Sequence, residues 1–253
     1  MPLLVAATLF ASQTPITILY QPKVGTTYKH LMTMTQSAQG NDSTTKITLT
    51  TKVLAFEDGY YKVETTSETK SDSGVANPQD AKPAITYVDQ HYMPKPEEKG
   101  AKGDAQKMLT NMAGAFSNGL YPSKPVSLGD KWENSIDFGK LMGAMMKAGD
   151  GDQSLKTSGK INLVFKLTKA DETLFKIDSI IGGTVEMEMT AGGAEGMKIP
   201  MKFTGTGTST ADKDSGIPID SDTKIEMEMS IGGQAVNFNM GISVKRLEIK
   251  PGN

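Results

Sequence analysis

No cysteine occurs anywhere in the 253 residues. Disulfides, thiolate metal sites and cysteine nucleophiles are excluded together. Arginine is almost as scarce: among 27 basic residues only Arg246 carries a guanidinium. Recognition of phosphates and base edges leans on that planar, bidentate group. A chain of net charge −2 with one arginine is therefore a poor partner for nucleic acid. No basic stripe is present to hold an anionic membrane surface. Histidine is limited to His30 and His91, outside any His-x-x-x-His pair, so acid–base and zinc chemistry have little to work with. Neither a Gly-x-Ser-x-Gly elbow nor a phosphate loop occurs. Ser67–Lys70 and Ser221–Lys224 match Ser-x-x-Lys, a pairing that works at a helix start. An offset of three in strand text sends the two side chains to opposite faces. The expectation is a protein with no enzymatic activity and no cofactor.

Long apolar runs are missing too, and none approaches the ~20 residues of a membrane-spanning helix. The run Leu3-Leu4-Val5-Ala6-Ala7-Thr8-Leu9-Phe10-Ala11 is short and ends in small residues. It fits the apolar centre of a secretory signal cleaved after Ala11 or Ser12. The expected layout is a signal over 1–12 and a single β-rich domain over 13–253, exported to the periplasm or the exterior. With no cysteine after the run, no lipid anchor is expected at that point.

What the chain does have is methionine, 16 in all, much of it in strand-like alternation. Residues 185–193 read Val-Glu-Met-Glu-Met-Thr-Ala-Gly-Gly, and 225–233 read Ile-Glu-Met-Glu-Met-Ser-Ile-Gly-Gly. Each copy alternates apolar with charged residues and breaks at a glycine pair, the pattern of a half-buried antiparallel strand entering a turn. Asp58-Gly59 marks a hairpin between Val53–Phe56 and Tyr60–Val63. A strand is expected near Ile85–Val88, and alternation resumes at Ile161–Leu167, Met197–Phe203 and Val236–Val244. Between these lies a change of period. Met108, Leu109, Met112, Ala113 and Phe116 share one helical face, and Phe138, Leu141, Met142 and Met145 share another, with Asp137 as N-cap. The predicted fold is mainly β (α+β): a curved antiparallel sheet or half-barrel of two meanders, with two amphipathic helices inserted at about 103–148.

The segment Tyr121-Pro122-x-Lys124-Pro125-Val126-x-Leu128-Gly129-Asp130-x-Trp132 resembles a signature of uncharacterised secreted or lipid-anchored bacterial envelope proteins. There, a Pro-x-x-Pro-Val stretch leads into Val/Leu-Gly-Asp and a tryptophan. Gly205-Thr206-Gly207, the Asp214-Ser215-Gly216 turn and the closing strands are similar to the same family's C-terminal half. The resemblance covers roughly 120–250 and implies an envelope location but no catalytic residue. More loosely, the layout resembles the half-barrel of periplasmic lipoprotein carriers, which enclose a lipid-sized apolar cavity, although by this reading the chain lacks the arginine that such a carrier is expected to place beside its cavity.

Thioether side chains are flexible and polarisable and suit adaptable apolar surfaces. The expected ligand wall is Met32, Met34, Met187, Met189, Met227 and Met229, with Met108, Met112, Phe116, Met142 and Met145 from the helices. A lipid or a lipidated segment is the expected guest. An alternative is a structural or interaction protein with a packed core, meeting another envelope protein through a sheet edge. A second alternative is Cu(I) held by His30, Met32 and Met34, which share one face of a strand. Asp212, Asp214, Asp220 and Asp222 surround one turn but lack the spacing of a calcium loop, and read as turn-forming aspartates. Trp132, the single tryptophan, reads as a loop anchor on the core. Glu186, Glu188, Glu226 and Glu228 read as a solvated face.

Overall fold

A computed structural model describes residues 14–38, 41–71, 83–95, 120–137, 154–190, 197–231 and 234–252. Ten strands make one antiparallel sheet: β1 (Thr27–Ala38), β2 (Asn41–Glu57), β3 (Tyr60–Ser71), β4 (Ala84–Val88), β5 (Lys131–Asp137), β6 (Ser154–Ala170), β7 (Leu174–Thr190), β8 (Met197–Asp212), β9 (Pro218–Ile231) and β10 (Gln234–Lys250). Their order is β4-β3-β2-β1-β10-β9-β8-β7-β6-β5. Every pairing joins chain neighbours except at the centre, where β1 pairs with β10 and splices the two meanders into one sheet, leaving β4 and β5 at its edges.

Local sequence explains most of the turns. Asp58 and Gly59 both take positive φ, 54° and 82°, the mirror-image turn whose twist matches the strands it joins. Asp171 closes the β6–β7 turn by accepting the amides of Thr173 and Leu174 at 2.9 Å each. Those bonds and the Lys169 ammonium hold its carboxyl well below the ordinary carboxylate range. The two methionine repeats become β7 and β9, with β8 between them. Val185, Met201 and Met229 are direct cross-strand partners.

One face carries the core. Ile161, Leu163, Phe165 and Leu167 of β6 line up with Ile177, Ile181 and Val185 of β7, then Ile199, Met201 and Phe203 of β8, and Ile225 of β9, all buried. Some positions on this face admit no side chain. A Cβ on Gly183 would overlap the Lys160 carbonyl oxygen and lie 2.9 Å from the Ile161 Cα, whereas one on Gly182 would meet nothing within 4 Å. Gly183 lets β6 and β7 approach closely on the inner side, a local device for bending a sheet.

The helical interlude is corrected. Among the described residues the fold is all-β, with no helix. Of the span 103–148, residues 120–130 form an irregular stretch and 131–137 form β5. Asp137, expected to cap a helix, ends β5 opposite Lys160. Trp132, Asn134 and Ile136 of β5 oppose Phe165, Leu163 and Ile161 on β6. The two expected helical faces, with Met108, Met112, Phe116, Met142 and Met145, fall outside the described residues.

Candidate functional site

Register places the methionines in one continuous lane. On β1, His30, Met32 and Met34 follow one another on one face, and their β10 partners are Arg246, Val244 and Ile242. The lane continues on β10 through Met240 and Phe238, which oppose Ile225 and Met227 of β9. Met227 in turn opposes Phe203, and Met229 opposes Met201. Met32, Met34, Val244, Ile242, Met240 and Phe238 are half-buried. Met187, Met227, Met229 and Met240 pack against the buried cluster without entering it. Met189 sits in β7 opposite Met197, and its side chain is outside the described residues. Of the expected wall, Met32, Met34, Met187, Met227 and Met229 thus share a face. Met201 and Met240 belong with them, and both were legible as same-parity methionines.

One end of the lane is polar. His30 is 6% exposed, and its Nε2 donates to the Pro218 carbonyl at 2.8 Å. A carbonyl only accepts, so the proton sits on Nε2 and the neutral ring leaves Nδ1 as an acceptor. Burial lowers the His30 pKa, partly opposed by the Pro218 bond, and the Arg246 charge lowers it further. Arg246, the only arginine, is half-buried, and its Nη1 is fully buried with no hydrogen-bond partner. A cation bound between His30 and the methionines would meet that guanidinium charge. The electrostatics run against the copper arrangement. Among the described residues, no group of three His, Asp or Glu side chains forms a metal site.

Beyond His30 the face becomes aromatic, in a cluster that sequence reading missed. Tyr20, fully buried, packs edge-on against Tyr61, Tyr92 and Tyr121 at centroid distances of 5.3, 4.9 and 6.4 Å. Its hydroxyl lies 2.9 Å from that of Tyr28. Tyr121 donates to the Gly216 carbonyl at 2.7 Å. Burial, reinforced by neighbouring phenols, pushes Tyr20 and Tyr121 well above the usual phenol value. These groups stay neutral at ordinary pH and offer no base. The five tyrosines have no common spacing in sequence, so no local signal could have assembled them.

Tyr20 belongs to an extended segment before β1 that crosses this end of the sheet. Backbone bonds tie Ile16 to Val126, Tyr20 to Gln90 and Gln21 to Ser215, each at 2.8 Å. Gln90 follows edge strand β4, and Val126 precedes edge strand β5. The segment therefore fastens chain beside both edges. Gly216, at φ 68°, makes the crossing feasible, because a Cβ there would overlap the Leu19 carbonyl oxygen. At the same seam lies a groove of about 320 Å³ whose lining includes His91, Tyr121 and Trp132. Trp132 stacks on Phe165 at 5.8 Å and 16°, the anchoring role expected of it.

Other candidates resolve simply. Asp212 accepts the Ser215 amide and hydroxyl at 2.9 and 2.7 Å, spending its carboxylate on the turn. Asp220 and Asp222 are exposed on β9. The Ser-x-x-Lys pairs lie in β3 and β9. Among the described residues, no helix is long and apolar enough to cross a membrane.

No protein-family model matches the chain, and neither does any curated protein. Among solved structures, it is similar to the crystal structure of a Bacteroides fragilis protein assigned to export and to a YmcC-like fold. The identity is 9%, with 92% of this chain and 99% of the other covered, at a TM-score of 0.30. Overlap this low does not establish a shared fold.

Proposed function

We propose that the chain is an exported, non-enzymatic sheet protein that holds an apolar guest against its methionine lane. The lane itself carries this reading: adjoining strands present thioether and aliphatic side chains on one face, half-buried and able to repack. The neutral tyrosines and the carbonyl-bound His30 argue against acid–base catalysis at the polar end. Export rests on the apolar run Leu3–Ala11.

Native mass spectrometry of protein recovered gently from an expressing bacterium's envelope tests the proposal. Excess mass that vanishes on denaturation is expected, and the same spectrum reads whether residues 1–12 have been removed. A bare polypeptide mass would favour the interaction-protein alternative. The continuous buried cluster reaching from Ile18 to Ile225 is what that alternative has on its side.

A further inference from the structure

Arg246 is an oddity that the apolar lane alone leaves unexplained. It is the chain's single arginine, and it stands on the lane's face, directly across from buried His30. Its Nη1 is shut away from solvent and bonded to nothing. An arginine never gives up its charge, and leaving a buried cationic donor unpaired is costly. Among the described residues the ion pairs are Lys169–Asp171, Lys198–Glu186 and Lys250–Glu248, none of which involves Arg246. His30 cannot neutralise it, being itself a neutral donor to Pro218. From this pair the lane runs through Met32 and Val244, then Met34 and Ile242, to Met240, whose β1 partner is the exposed Gln36. From Arg246 to Met240 is six residues of strand, or about 20 Å.

We propose that Arg246 is the headgroup anchor of an anionic amphiphile. Its carboxylate or phosphate oxygens meet the unpartnered Nη1, and its alkyl chain lies along Met32, Met34, Val244 and Ile242. Planar guanidinium suits either oxyanion, with short, charge-assisted hydrogen bonds. The inference rests on the proposed apolar lane and adds its polarity and direction: head at the His30 end, tail toward Met240.

The test uses the purified full chain and displacement of a neutral apolar dye by four probes of equal chain length: dodecanoate, dodecyl phosphate, methyl dodecanoate and dodecyltrimethylammonium. Dodecanoate or dodecyl phosphate should displace the dye about tenfold more tightly than the ester, with the ammonium weakest. The tighter of the two anions names the headgroup. Arg246→Met should erase the anionic preference, and Arg246→Lys should retain part of it. Equal affinity of ester and anions for the unaltered chain would overturn the headgroup assignment while leaving the apolar lane standing. So would a preference that survives in folded Arg246→Met. If no probe displaces the dye and none binds directly in titration calorimetry, the lane proposal falls, and the anchor with it. The comparison of probes on the unaltered protein decides the question even where a variant folds poorly.

Discussion

At the tyrosine end of the sheet, hydroxyls are matched to protein partners: Tyr20 to Tyr28, Tyr121 to Gly216, Thr51 to Thr65. Along the methionine lane a few strand residues away, Met32, Met34, Met227, Met229 and Met240 are half-buried thioethers. Both regions belong to one face of one sheet, yet they use opposite materials. Aromatic rings with hydroxyl handles give a rigid contact of fixed geometry. Thioethers give area without shape. The contrast is that of an anchorage and an adaptable surface, and Arg246 with His30 marks the border between them.

The harshest way to break this comparison is Tyr20→Ala. Removing a fully buried ring that touches three others should cost about 3–5 kcal/mol, read by denaturant unfolding. A loss near that of a surface residue would mean that the crossing segment anchors nothing. Next come two neighbouring glycines on β7. Gly183→Ala forces a Cβ into the Lys160 carbonyl and should cost about 1–3 kcal/mol. Gly182→Ala has open space and should stay within about 0.5 kcal/mol. Equal effects would remove close strand approach as the reason for Gly183.

Met227→Leu should be milder, under about 1.5 kcal/mol, because a volume-conserving swap at a repackable site is tolerated. A larger loss in thermal melting would place the lane among the jigsaw-packed core residues. The smallest expected signal lies in the pH response. Burial holds the His30 pKa below its ordinary value of 6.5, so the unfolded chain takes up this proton first as pH falls. The stability that His30 contributes is therefore fully present above about pH 6.5 and is lost as pH drops through the folded-state value. Arg246 and Tyr28 are the groups facing it. His30→Gln should flatten that part of the urea-midpoint change between pH 7 and 5. An identical change in both proteins would assign the acid response elsewhere.

Much of the sheet was legible from short-range pattern. Period-two alternation located β6 through β10, Asp58-Gly59 located the β2–β3 hairpin, and parity alone grouped Met32 with Met34 and Met227 with Met229. The failures were non-local. Asp137 reads as a helix cap in isolation, and its place at the end of β5 comes from its pairing with Lys160 of β6. The pairing of β1 with β10, the five-tyrosine cluster and the His30–Arg246 border all join residues far apart in the chain. Arg246 shares the parity of Met240, Ile242 and Val244 and lies in the unshifted part of the β1–β10 register, so alternation carried two residues past Val244 places it on the inner face; its pairing with His30 is what no local pattern reveals.

The splice of the first strand to the last also governs how such a sheet is made. β1 has β2 on one side, but its other partner is the tenth strand, and the crossing segment needs Gln90, Val126 and Ser215 in place before its own backbone bonds form. The β1–β10 pairing therefore closes a loop of about two hundred residues. Every other pairing in the sheet joins chain neighbours, so this one distant closure is the slow step, since chain entropy is lost before its contacts return it. A chain of this topology emerging from a ribosome keeps its central seam open until β10 is out.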